Sequence, residues 1–100
     1  MSDCCLHLLC PLAVEERVID LLLALGEAGV FTSAPTQAHG FAHGRLHAAE
    51  QVSGRSEASL IHLVLPRAEL DALLADLQRE LPRSDVRYWV TEVQCQGELA

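Results

Sequence analysis

The segment LHLLCPLAVEERVIDLLLAL, which begins at Leu6, recurs as IHLVLPRAELDALLADLQRE, which begins at Ile61, at a constant offset of 55 residues. In this register His7 falls on His62, Pro11 on Pro66, Ala13 on Ala68, Val18 on Leu73, Ile19 on Leu74 and Leu22 on Leu77. A chain of 100 residues built from two similar halves has room for one domain spanning 1–100, and each half must contribute the same unit to it.

Each copy starts with a short apolar run, breaks at a proline suited to the first turn of a helix, and continues with helical periodicity. In the first helix Val14, Val18, Leu21, Leu22 and Leu25 form the apolar stripe, and Gly26 is placed to end it. In the second, Leu70, Leu73, Leu74, Leu77 and Leu81 form the stripe, and Pro82 stops it. After each helix comes a strand candidate rich in β-branched and aromatic residues, VFTSAPTQ from Val30 and VRYWVTEV from Val86. The order is βαββαβ. It predicts an α+β, ferredoxin-like fold, a four-stranded antiparallel sheet with both helices on one face.

That arrangement leaves the other face of the sheet open. If Leu6, Leu8, Leu63 and Leu65 meet the helices, then Cys5, His7, Leu9, Leu60, His62 and Val64 point away from them. This second face is too apolar for water, so the sequence predicts a homo-oligomer that packs these faces together. His7 and His62 fall at equivalent points of neighbouring strands, where the ordinary expectation is a hydrogen-bonded core histidine and the sharper one a metal or pH-sensitive pair.

Charge narrows the partners. Seven Lys and Arg against 14 Asp and Glu give a net charge of -7, which opposes the phosphate contacts that dominate nucleic-acid binding. The start, MSDCCLHLLCPLAVEERV, lacks a basic leader and stops being apolar too early for a signal peptide or a membrane span, so a cytoplasmic protein without membrane insertion is expected. Cys4, Cys5, Cys10 and Cys95 show no zinc-ribbon spacing and read as free thiols, with copper or zinc thiolate ligation near the amino terminus as the alternative. No grouping of residues argues for catalysis, and Tyr88 and Trp89 read as packing in the last strand.

Between the second and third strands the chain makes a long excursion, from about Gly40 to Arg55, where a hairpin needs only two to five residues. It carries AHGFAHGRLHAAEQVSGR, with His39, His43 and His47 spaced four apart and Glu50 following. Neutral imidazoles so spaced suit zinc, copper, nickel or cobalt. Gly40 and Gly44 argue against one continuous helix, and only Leu46 to Val52 has helical character. A metal that orders such a loop couples binding to shape. Gly40, Gly54 and Arg55 form a second candidate cluster, a cradle for a small anion. The tail CQGELA, from about residue 95 to 100, is expected to be mobile.

The βαββαβ order, this excursion, and the run SLIHLVLPRAELDALLADL resemble the PII superfamily of signalling proteins across nearly the whole chain. VFTSAPTQAHGFAHGRLHAAEQVSGR and the later RYWV look like a small PII-like bacterial family of about this length, found near heavy-metal efflux systems. The resemblance implies a trimer whose long loop, the T-loop in PII, contacts a protein partner such as a membrane transporter. In PII the ligand is ATP or ADP, held between subunits. Here Ala58 and Leu60 stand where PII has lysines, and PRSDVRYW replaces its glycine-rich phosphate loop, so ordinary nucleotide binding is not expected.

The resulting expectation is a trimeric, PII-like regulatory protein, not an enzyme, that senses a transition-metal ion through its loop and regulates a partner such as an efflux system. Two alternatives remain. One is a nucleotide-binding PII-like regulator, and the other a CutA-like metal-tolerance protein without a regulatory partner.

Overall fold

The computed structural model describes residues 2–25, 29–40 and 55–99. Strand β1 (Asp3–Pro11) leads through a 3-10 turn (Leu12–Val14) into helix α1 (Glu15–Leu25), and strand β2 (Phe31–His39) follows. Strand β3 (Arg55–Pro66) opens the second half, which repeats the pattern with a 3-10 turn (Arg67–Glu69), helix α2 (Leu70–Glu80) and strand β4 (Arg87–Val93). The sheet order is β2-β3-β1-β4, with every neighbouring pair antiparallel. The ferredoxin-like architecture expected from the repeat is the one observed.

Both prolines act as the repeat suggests. Pro11 and Pro66 each sit at the amino-terminal boundary of a 3-10 turn with φ near the value the ring imposes, -54° and -59°. Each ends its strand and directs the chain back across the sheet. Glu15 and Glu16 in the first turn of α1, and Asp71 in that of α2, complement the partial positive charge of the helix start. An Arg17 guanidinium nitrogen donates to the Glu80 carbonyl at 3.3 Å, tying α1 to the last turn of α2.

One face of the sheet makes the core. Cys4, Leu6, Leu8 and Cys10 of β1 lie opposite Leu65, Leu63, Ile61 and Ser59 of β3, and all eight are buried. Val18 and Leu22 from α1, Leu70 and Leu77 from α2, and Leu81 just past its end close over them. The stripe is narrower than periodicity suggests, since Val14, Leu21, Leu73 and Leu74 only flank this cluster. Helices resting on one flat side bury a single line of side chains deeply and leave their neighbours at the rim.

The carboxyl-terminal end of β2 and the start of β3 outrun the rest of the sheet. β1 ends with Pro11 opposite Ala58, but β2 and β3 stay paired from there out to His39 opposite Arg55. His39 and Arg55, read from the sequence as the borders of a loop, are therefore paired residues of a two-stranded ribbon, the outermost pair among the described residues. Gly40 follows with φ +92°, a conformation that residues with a Cβ seldom adopt.

The Cys10 thiol is fully buried, and burial first, then the nearby Glu15 carboxylate, pushes its pKa from 9.0 up to about 11. The unfolded chain therefore ionises this thiol before the folded one does. Stability is whole below pH 9 and falls as pH rises from 9 to about 11, by roughly 2–3 kcal/mol from this group. Denaturant titrations across that range should show the decline, and Cys10→Ala should flatten it.

Candidate functional site

Strand register decides what the open face presents. From β1 it carries Cys5, His7 and Leu9; from β3, Leu60, His62 and Val64; from β4, Arg87, Trp89 and Thr91. All six residues assigned to this face by alternation lie on it. Val64 and Trp89 remain 38% and 43% exposed, although a valine and a tryptophan are among the side chains that gain most from burial.

His7 lies directly opposite His62 on one side and Trp89 on the other, and Thr32 lies opposite His62, so one row crosses all four strands. The two imidazole rings meet edge to face with centroids 4.8 Å apart. His7 stacks on Trp89, with centroids 5.3 Å apart and planes 8° from parallel. Its Nε2 is 2.9 Å from Thr91 Oγ1. His7 is thus held from three sides, which fixes its ring.

Sequence reading placed His7 and His62 on this face and missed Trp89 and Thr91, which it assigned to packing or left unremarked. The signal was present, since Trp89 and Thr91 alternate on a strand, but nothing in the sequence says that β4 pairs with β1 in the register that sets Trp89 against His7. Trp89 is not core packing. It lies on an edge strand, and its ring covers an imidazole.

The arm offers the other candidate. His39 sits opposite Arg55, and Arg55 Nη1 donates to Gln37 Oε1 at 3.1 Å, bracing the ribbon's end. Gly40 follows directly. His43, His47, Glu50 and Gly54 lie outside the described residues, and so does the helical segment expected from Leu46 to Val52. Among the described residues, no three His, Cys, Asp or Glu side chains gather in a way that holds a metal ion. No helix among them is long and apolar enough to cross a membrane.

The comparisons with known proteins bear on the whole chain. Residues 1–100 match a family model described as a protein of unknown function, DUF3240. The chain belongs to the DUF3240 family. A solved member of the family from Shewanella baltica OS155 is 19% identical, superposes with a TM-score of 0.81, and is covered over 99% of its length by all of this chain. CPII from Thiomonas intermedia K12, described as a nitrogen regulatory PII-like protein bound to ADP, AMP and bicarbonate, is 17% identical with a TM-score of 0.73; 99% of this chain covers 98% of it. The periplasmic divalent cation tolerance protein CutA from Archaeoglobus fulgidus is 9% identical with a TM-score of 0.70; 96% of this chain covers 88% of it. At these identities the likeness is one of fold, and the fold is PII-like. No curated protein sequence matches the chain.

Burial and, second, the neighbouring His62 hold the His7 pKa below its ordinary value of 6.5. A lowered imidazole pKa means that the folded state resists the proton that the unfolded state accepts. The stability His7 contributes is present above pH 6.5 and is lost as pH falls through its folded pKa. Trp89 is the only tryptophan and lies against His7, so its fluorescence reports this proton. An acid titration should show an emission change with its midpoint below 6.5, and His62→Gln should raise that midpoint.

Proposed function

We propose that the protein is a PII-like regulatory protein of the cytoplasm, a binding protein and not an enzyme. Copies pack their open sheet faces together, as a trimer, and the arm between β2 and β3 senses a small ligand and passes the signal to a protein partner. The favoured ligand is a transition-metal ion, zinc, copper, nickel or cobalt, held by His39, His43 and His47 with Glu50. The favoured partner is a heavy-metal efflux system.

The observation that carries the sensing role is the β2–β3 ribbon. It outruns the sheet as far as His39 and Arg55 among the described residues, and the Arg55–Gln37 hydrogen bond braces it there. A ligand that fixes residues 40–54 against that braced end changes the surface the arm offers while the body stays put. A CutA described as a divalent cation tolerance protein, on the same fold, supports the choice of a metal.

The assembly is supported by the chain's surface. The open face sets Cys5, Leu9, Leu60 and Val64 on either side of the histidine pair, and no element among the described residues covers it, which is the character of a subunit interface.

A second reading is favoured by Arg55. Its guanidinium, opposite His39 and beside Gly40, opposes a cation and suits an anion, and CPII is described as bound to ADP, AMP and bicarbonate. A nucleotide or small anion at Gly40, Gly54 and Arg55 would then be the signal.

Chelator-stripped, reduced protein melted with each metal or nucleotide in turn separates the two, because a ligand specific to the folded state raises Tm by mass action. The first reading expects a rise of several degrees with one metal that disappears in the His39→Ala, His43→Ala double variant. A rise with ADP or ATP alone, lost in Arg55→Ala, supports the second. Metal binding with no protein captured by the arm is the CutA-like outcome.

Assembly has its own test. Val64→Asp puts a charge on the open face beside the histidine pair without touching the core, and sedimentation should show a folded monomer where the natural chain is an oligomer. A natural chain that sediments as a monomer at all concentrations removes the face-to-face assembly.

A further inference from the structure

We propose that the His7–His62 pair is a transition-metal site of its own, separate from the arm, in which each chain supplies two imidazoles and a second copy packed on the open face completes the coordination. The inference rests on the face-to-face assembly proposed above, and on three observations.

The first is separation. An ion bound by two imidazole nitrogens at about 2.0–2.1 Å in tetrahedral geometry sets the ring centroids about 5 Å apart. The rings of His7 and His62 lie 4.8 Å apart with 70° between their planes, so an ion between them requires the His62 ring to turn its edge toward His7. The backbone needs no adjustment, since the two residues are direct cross-strand partners in the two central strands.

The second is orientation from behind. Metal-bound histidines usually donate their other ring N–H to a polar neighbour, which fixes the tautomer and leaves one lone pair aimed at the ion. Thr91 Oγ1, 2.9 Å from His7 Nε2, is such a neighbour, and it leaves Nδ1 as the ligand atom. Trp89, stacked 8° from parallel on His7, restricts the ring's tilt and shields that side from water.

The third is incompleteness. Two ligands hold a transition metal weakly, and within one chain no third ligand joins them among the described residues. Cys5 shares the face but lies one pair along the strand, opposite Val64 and not opposite His62. Of the charged groups on this face, Asp3 stands at one end and Arg87 at the other, so neither enters the centre. The missing ligands must come from outside, and a second copy presents the same pair. Imidazole nitrogens in such a setting suit zinc, cobalt, nickel or copper in preference to calcium or magnesium.

The test uses the full chain, stripped and reduced, titrated with cobalt(II) while visible absorption and sedimentation are followed together. Expected are the d–d bands of a tetrahedral ion and tighter assembly in the presence of metal. His7→Gln and His62→Gln should each weaken this site by more than about tenfold. The His39→Ala, His43→Ala double variant should keep it. His7→Phe separates ligation from folding, since it preserves an aromatic ring against Trp89 and should assemble without binding cobalt at this site. A His39→Ala, His43→Ala oligomer that gives no such bands, or keeps them when His7→Phe is added, overturns the metal site and leaves the assembly standing. A chain that stays monomeric with and without metal overturns both, and a monomeric chain that binds cobalt at His7 as tightly as the oligomer does overturns the shared coordination.

Discussion

The antiparallel pairing of β1 with β3 is the interaction on which the rest depends. It joins the two halves of the repeat along nine residue pairs, from Asp3 opposite Pro66 to Pro11 opposite Ala58. Because the strands run in opposite directions and the halves are similar, the pairing has an approximate twofold axis. Leu6 faces Leu63, the repeat mate of Leu8, and Leu8 faces Ile61, the repeat mate of Leu6. Only one residue can face its own mate, and it is His7, opposite His62. The imidazole contact at the centre of the open face is therefore a consequence of the repeat and the register together.

The same pseudo-symmetry places the outer strands. β2 adds beside β3 and β4 beside β1, so Thr32 and Trp89 flank the histidine pair from equivalent positions. Both helices then lie over the alternate side chains, and their stripes pack on Cys4, Leu6, Leu8 and Cys10 and on Ile61, Leu63 and Leu65. A sheet of period two with helices on one side buries half of its residues and leaves the rest open. What differs from an ordinary two-layer protein is the middle of the open half, where leucine, valine, cysteine and aromatic rings lie between Asp3 at one end and Arg87 at the other.

The two halves also diverge, and the divergence has a functional sense. In the first half β2 continues beyond the core sheet with β3 to His39 and Arg55, whereas β4 ends within the span of β1. A ribbon of two strands has few buried contacts of its own to hold it, apart from Ala38, Ser56 and Ala58, so its end responds to binding more readily than the four-stranded body does. Body and arm thus have distinct tasks in the proposed function, one for assembly and one for sensing.

Much of this was legible from residue order. The repeat fixed two equivalent strand–helix units, the prolines marked their turns, the stripes marked the buried sides of the helices, and alternation assigned Cys5, His7, Leu9, Leu60, His62 and Val64 to one face. These are local patterns, set by the periods of helix and strand. The sequence did not reveal that His39 and Arg55 are paired residues of a ribbon, because glycine and histidine in that stretch carry a loop signature that only the partner strand overrides. Nor did it reveal the stacking of Trp89 on His7 or the Thr91 contact. Those depend on which strand lies beside which and in what register, and both are decided only when the whole sheet closes around its core.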